Sequence, residues 1–416
     1  MRMLFNKDRA LQLMKEFNIE ALLATTRHNV LYLSGFQGWA QYTYGDPITE
    51  TFALFFSRNE VAPALIVSRQ DETYYSSTGS WIEDVRGYGP RSALNMDPEE
   101  QGANDEEKNY LNLIAEDAPR EETSVKALAR ILKERGIHKG RVAIDNEGIR
   151  PASRSAIEEM FPEISFIDGA NLFRLIRLQK TPEEIERIRE SASLNEKALQ
   201  AFHAELAVGK TEREIASHYY RTVAAGGGKW SWFHLGGGRR SASIFPPSDR
   251  AFEKEDGFFF DAGMRLNHYC ADVGCCGSFG EPDASRKNQW NAIQAGLQAA
   301  FGVIRSGVKP SEIFHAALDA AKKNGLPNYN GSFCGHTMGI EARELPYTLS
   351  DPMPLNDPFL PDNSDIPFPA GSVLSVELPS GKFGEGGVHA EYTVLVTENG
   401  MEHLGESKRE HFIVEK

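Results

Sequence analysis

Only four of the 416 residues are cysteine, Cys270, Cys275, Cys276 and Cys334, and no two are spaced as CxxC. The adjacent Cys275 and Cys276 cannot readily serve one tetrahedral cage, so reduced, packed thiols are expected rather than a structural zinc site. That usage fits a reducing compartment. No run of 18 apolar residues is present, and the start lacks the basic, apolar and cleavage-site succession of a secretory leader. No membrane span is therefore expected, and the expected location is cytoplasmic. Basic charge is also scarce: 45 Lys and Arg stand against 59 Asp and Glu, a net charge of −14. Without a basic block to neutralise phosphates, nucleic acid is not an expected partner.

What is present is globular composition, 41% hydrophobic and 25% charged, over a length that exceeds one ordinary core. The first third alternates helical and strand patterns. DRALQLMKEFN from Asp8 has helical spacing, IEALLAT reads as a buried strand, and RHNVLYLSGF reads as a turn and a second strand. TFALFF, PALIVS, the helix VKALARILKERG and the strand RVAID, ending at Asp145, complete an α/β domain with a mixed sheet. Gly89 to Ser124 is acidic and rich in Pro, Asn and Glu, and part of it is expected to be exposed loop.

Further on, Thr181, Pro182 and Glu184 form a capping signature for a long helix, and Thr211 with Glu214 repeats it. The domain boundary is expected near residue 165, giving domains 1–165 and 166–416. The second has the strand GFFFDAG, helices over NQWNAIQAGLQAAFGVI and PSEIFHAALDAAKKNG, and strands around SVLSVEL and HAEYTVLVTENG. Its proline-rich stretch Tyr347 to Pro369 is expected to be a structured loop.

DAGMRLNHYCAD, Asp261 to Asp272, opens and closes on a carboxylate. An offset of eleven would put the two acids on opposite faces of one strand, but a turn around Leu266 and Asn267 folds the second half back beside the first. Two close carboxylates then share a proton or bind a cation. Three further residues fit a cation site: His336 in CGHTMGIEARELP, Glu377 in SVELPSG and Glu391 in GGVHAEYTVLVTENG. Glu377 and Glu391 lie inside apolar strands, where an unpaired charge is costly. Four carboxylates and one imidazole suit a two-metal hydrolytic centre of Mn, Fe, Co or Zn better than a thiolate site.

The ordered set Asp261, Asp272, His336, Glu377 and Glu391, with VLYLSGF, FFFDAG and EYTVLVTENG around it, resembles the M24 metallopeptidase or "pita-bread" family, in its creatinase, Xaa-Pro dipeptidase and aminopeptidase P branch. The resemblance covers nearly the whole chain. It implies an α/β (α+β) architecture, a pita-bread catalytic domain preceded by a smaller creatinase-type α/β N-terminal domain. It also implies two divalent metal ions, foremost Mn2+, with Asp261 and Glu391 bridging, Asp272 on one ion, and His336 with Glu377 on the other. A metal-bridged hydroxide would attack the scissile amide, with Glu377 as its proton shuttle. Homodimerisation is implied as well. Creatinase keeps the fold without metals, so the complete ligand set points away from a creatinase-like mechanism.

Two positions depart from the family pattern. The peptidases carry a histidine seventeen or eighteen residues before the first Asp, where this chain has Ser243 or Ile244. They carry another seven residues after the histidine ligand, where this chain has Arg343. Arg343 replaces a neutral imidazole by a fixed cation that can grip a carboxylate with two hydrogen bonds. His234 and Arg240, in FHLGGGRRSAS, are further candidates for substrate contact, and Trp39 and Tyr42, in WAQYTY, are candidates to cap a substrate amine through cation-π contact. The alternatives are a solvent-facing turn for the arginines and core or loop packing for the aromatics. His389 shares a strand face with Glu391 and is a catalytic or supporting candidate, with packing as its alternative. His268 and Cys270 read as supporting residues.

The expected function is a metal-dependent C–N hydrolase resembling Xaa-Pro dipeptidase or aminopeptidase, acting on a dipeptide or small zwitterionic amide. The alternatives are a non-peptidase relative such as ectoine hydrolase, a dimethylsulfoniopropionate lyase with Glu341 or a tyrosine as base, and a non-catalytic binding protein.

Overall fold

The computed structural model describes residues 3–90, 104–114, 120–405 and 408–415. The chain forms two compact units, Met1–Arg177 and Leu178–Lys416.

The first unit is built on seven strands, β1 (Ala21–Ala24), β2 (Phe52–Phe56), β3 (Ala64–Ser68), β4 (Asp84–Tyr88), β5 (Arg120–Glu121), β6 (Gly140–Ile144) and β7 (Ile164–Asp168), in the order β5-β4-β3-β2-β1-β6-β7. β2 runs antiparallel to both its neighbours, and β1–β6, β3–β4, β4–β5 and β6–β7 are parallel, so the sheet is mixed. β1, β2 and β3 are buried along their whole length, which is why ALLA, FALFF and ALIVS are continuous apolar runs rather than alternating ones. The helix Ser124–Glu134 buries Leu128, Ile131 and Leu132 in the same core.

Two segments differ from expectation. Arg27–Ser34 is a helix, not a turn and strand: Thr26 caps it by accepting from the Asn29 amide, and Gly35, at φ 75°, ends it. Its VLYLS run is buried all round, and a short buried run carries no period that separates helix from strand. WAQYTY is likewise a short helix, Trp39–Tyr44. Of the stretch expected to include exposed loop, residues 91–103 and 115–119 lie outside the described residues, and Asp105–Ile114 is helical. Residue 165, where the seam is expected, falls inside β7. β7 pairs with β6 up to Ile144↔Asp168, and the helix Ala170–Arg177 follows with Leu172, Phe173 and Ile176 buried, so the first unit continues to Arg177.

The second unit contains β8 (Lys229–Gly237), β9 (Gly257–Leu266), β10 (Tyr269–Phe279), β11 (Gly335–Thr337), β12 (Val373–Lys382), β13 (Gly386–Val396), β14 (Met401–His403) and β15 (Phe412–Val414). They form two four-stranded sheets, β15-β10-β9-β8 and β11-β12-β13-β14. Both expected capping boxes are made, Thr181 with Glu184 and Thr211 with Glu214, starting the helices Pro182–Glu205 and Glu212–Ala225. Phe202 and Tyr219 of these helices join Phe233, Phe258 and Phe260 of the first sheet in one core. The helix Ala284–Val303 packs on β12 and β13 of the second sheet. Between β11 and β12 the proline-rich stretch is loop, as expected, with a single bridge at Pro354↔Asn363. The sheets approach through β10 and β13, at Gly274. A Cβ there would lie 2.2 Å from His389 Cε1 and 2.9 Å from Glu391 Cβ, so only glycine admits the close approach. Among the described residues no helix is long and apolar enough to cross a membrane.

Candidate metal centre

The β9–β10 hairpin turns through Asn267 and His268, both left-handed at φ 48° and 75°. Such a two-residue turn matches the twist of the strands it joins. Asp261 then faces Gly274, and Asp272 faces Gly263. Asp272 is two residues from Gly274, so the period of two puts both carboxylates on one face of the sheet. In the other sheet Glu377 stands directly opposite Glu391, and His336 opposite Ser375. Like charges directly opposite each other destabilise a strand pair unless a cation intervenes.

The five residues line one pocket of about 330 Å³, with Trp232, His234, Ile244, Ala342 and Arg343. His336 Nε2 lies 3.3 Å from Asp272 Oδ2 and 3.9 Å from Glu391 Oε1. Two groups of potential donors form, Asp272 with His336 and Glu391, and Glu377 with His389 and Glu391. Asp261 stands outside both groups, and its Oδ1 accepts a hydrogen bond from the Trp232 indole at 3.1 Å.

The donor set fits divalent metal. The Nδ1–H of His336 donates to the Thr337 carbonyl at 3.0 Å, so Nε2 is the ring nitrogen that faces the carboxylates and would meet a metal. Glu391 Oε1 accepts from Ser375 Oγ at 2.6 Å, whereas its Oε2 is buried with no hydrogen-bond partner among the described residues. Burial, and then the neighbouring carboxylates, drive Asp272 and Glu391 well above the ordinary carboxylate range, and burial raises Asp261 too. A site that strains toward protonation is one in which cations relieve the repulsion.

His389 is wholly buried. Its Nδ1 donates to the Phe260 carbonyl at 3.2 Å, its Nε2 lies 3.1 Å from Glu377 Oε2, and its ring stacks on Phe259. Because a carbonyl only accepts, the Nδ1 proton is fixed, and an ionised Glu377 requires a proton on Nε2 as well. Burial opposes that charge, but the Glu377 hydrogen bond overrides it and takes His389 up to about 9, while His389 in turn holds Glu377 below its usual value against burial.

Arg240 is not on the pocket wall: its Nε pairs with the buried Glu212 at 3.2 Å and its Nη2 donates to the Pro246 carbonyl, so it braces the glycine-rich loop. Trp39 and Tyr42 belong to the first unit, where Trp39 packs edge-on against Tyr44 and Arg27 lies over Tyr42. His234 and Arg343 do line the pocket, and of Ser243 and Ile244 it is Ile244 that does. Trp232 and Ala342 went unread in the sequence. Trp232 had a signal, since it precedes His234 by two residues on the same strand, although a bulge at Trp230/Trp232 interrupts the register.

Residues 186–398, just over half of the chain, match the model of metallopeptidase family M24, and residues 7–179 match the creatinase/prolidase N-terminal domain. Uncharacterized peptidases of Staphylococcus aureus and Staphylococcus haemolyticus are 27% and 28% identical over 267 residues, 64% of this chain and 73% of each relative. Among solved structures, an X-Pro aminopeptidase from Thermotoga maritima superposes with a TM-score of 0.73 at 22% identity, covering 97% of this chain and 100% of that one. An Xaa-Pro dipeptidase from Bacillus anthracis gives 0.74 at 21%, covering 98% of each. The two donor groups that share Glu391 form the constellation of a dinuclear metal-dependent hydrolase. The chain belongs to metallopeptidase family M24, with a creatinase-type N-terminal domain ahead of a pita-bread catalytic domain.

Proposed function

We propose that the protein hydrolyses the C–N bond of a dipeptide or small zwitterionic amide, with Asp261, Asp272, His336, Glu377 and Glu391 holding two divalent ions, Mn2+ foremost. The observation that carries this reading is the convergence of these five residues on one 330 Å³ pocket that has both an apolar wall and an arginine. Bound there, the ions would polarise the scissile carbonyl and lower the pKa of a water at neutral pH. Trp232, Ile244 and Ala342 offer the apolar wall for the substrate body. Arg343 lies over the Phe333 ring at 5.6 Å and, among the described residues, makes no ion pair or hydrogen bond, so its guanidinium is available to a substrate carboxylate. Glu377 is the proton shuttle, and His389 is its positioning residue. Hydrolysis is favoured over elimination because Glu341, the candidate base for a lyase, is not among the residues lining the pocket.

The test is metal analysis of the purified protein, followed by assays on Xaa-Pro dipeptides, ectoine and dimethylsulfoniopropionate. Cleavage of an amide by the metal-loaded protein is expected. A folded protein that binds no divalent ion, or that releases only dimethyl sulfide, would overturn the reading.

A further inference from the structure

Arg343 sits in a segment, residues 338–344, that no regular strand holds. Its next neighbour, Glu344, points away from the pocket into the protein, where its Oε2 meets Lys180 Nζ at 2.6 Å with both side chains 1% exposed. The rest of the segment is fastened around that pair. The Glu344 amide donates to the Thr337 carbonyl at 3.3 Å, the Thr337 hydroxyl donates back to the Glu344 carbonyl, and the Gly339 carbonyl accepts from the Cys270 amide at 2.8 Å. Lys180 is itself fixed, its amide donating to the Gly371 carbonyl at 3.0 Å just before the helix Pro182–Glu205 begins. Gly339 closes over the pair, since a Cβ there would lie 2.9 Å from both Glu344 Oε2 and Lys180 Cε.

A buried ion pair gives no more stability than apolar residues of the same volume, but breaking it on one side leaves an uncompensated charge. What this pair adds is direction: it fixes the backbone one residue from the pocket's arginine to a rigid helix start. We propose that Lys180 and Glu344 are positioning residues for substrate recognition, their buried ion pair holding the 338–344 segment so that the Arg343 guanidinium stands where the substrate's anionic group is taken. The proposal rests on the reading of Arg343 as the carboxylate partner.

The experiment measures binding of a reduced-bond isostere of Ala-Pro, whose CH2–N linkage cannot be hydrolysed, and of its C-terminal amide to the Mn2+-loaded protein by calorimetry. The wild-type protein is expected to prefer the free acid by about tenfold or more, the worth of a charge-assisted hydrogen-bond pair. Arg343→Ala should abolish the preference. Lys180→Met combined with Glu344→Leu, which removes both charges together, should lower it to the same level at unchanged metal stoichiometry, and should change nothing further when added to Arg343→Ala. Gly339→Ala, which pushes the pair apart without uncovering a charge, should act in the same direction and serves if the double replacement does not fold. Full preference in either variant, alongside its loss in Arg343→Ala, overturns the positioning role and leaves the hydrolase reading intact. Retention of the preference in Arg343→Ala, or its absence in the wild type, overturns the role of Arg343 and the positioning role with it.

Discussion

At the scale of single residues, the buried carboxylates of the second unit divide by what compensates them. Glu184 accepts from the Thr181 amide at 2.8 Å and from the Tyr269 hydroxyl at 3.1 Å, yet burial still lifts it to about 7 from the ordinary 4.5. The folded value lies above the unfolded one. The stability tied to this group is therefore fully present below about pH 4.5 and is lost as pH rises through about 7. Glu184→Gln keeps the capping bond and mimics the protonated acid. The variant should match the wild type in thermal melts at pH 5 and exceed it at pH 8.5 by on the order of 1–3 kcal/mol; equal melting at both pH values would mean that Glu184 is ionised without cost. His389 is compensated differently, by Glu377 on one nitrogen and the Phe260 carbonyl on the other. His389→Ala should weaken divalent-metal affinity by roughly 10- to 100-fold, the usual effect of losing a hydrogen-bonding partner of a ligand. Competition titration against a fluorescent chelator reads that change directly.

At the scale of elements, the two donor groups depend on two sheets meeting without an intervening side chain. Gly274→Ala should drive the His389 ring from its place, because the new methyl would lie 2.2 Å from His389 Cε1. Overpacking of this kind costs about 1–3 kcal/mol. A lowered melting temperature together with weakened metal binding is expected; lowered stability with unchanged metal affinity would show that the sheets give way elsewhere. Gly263 has the same relation to Trp232, whose Cζ2 would be 1.9 Å from an added Cβ. Gly263→Ala should therefore displace the indole from Asp261 and change the tryptophan fluorescence. Sequence reading succeeded best on these elements where chemistry and period agreed. The two capping boxes, the β9–β10 hairpin and the apolar strands carrying Glu377 and Glu391 were all legible. It failed at Arg27–Ser34, where burial on every side erased the helical period.

At the scale of the whole molecule, metal and fold are linked, because the folded second unit gathers four carboxylates that the unfolded chain separates. Removing divalent ions with a chelator at pH 7.5 should lower the melting temperature, and added Mn2+ should restore it, each bound ion stabilising the fold by about 2.7 kcal/mol at a hundredfold excess over its dissociation constant. The shift should shrink as pH falls, since protons then replace the ions on Asp272 and Glu391, whose affinity for protons burial and mutual repulsion raise. A melting temperature that ignores metal at pH 7.5 would count against a metal centre here.

The sequence by itself determined the inventory: four carboxylates and one imidazole in order along the chain, the hairpin that folds Asp272 back toward Asp261, and the capped helices. These are local matters of residue type, period and turn chemistry, and spacing along the chain carries them. Only the tertiary structure decided the partnerships. It set Glu391 between two donor groups, put His389 behind Glu377, turned Arg240 to Glu212 and brought Trp232 and Ile244 to the pocket wall. Those contacts join segments tens to more than a hundred residues apart, and they follow from which sheets pack and where a missing Cβ lets them close, which no local pattern encodes.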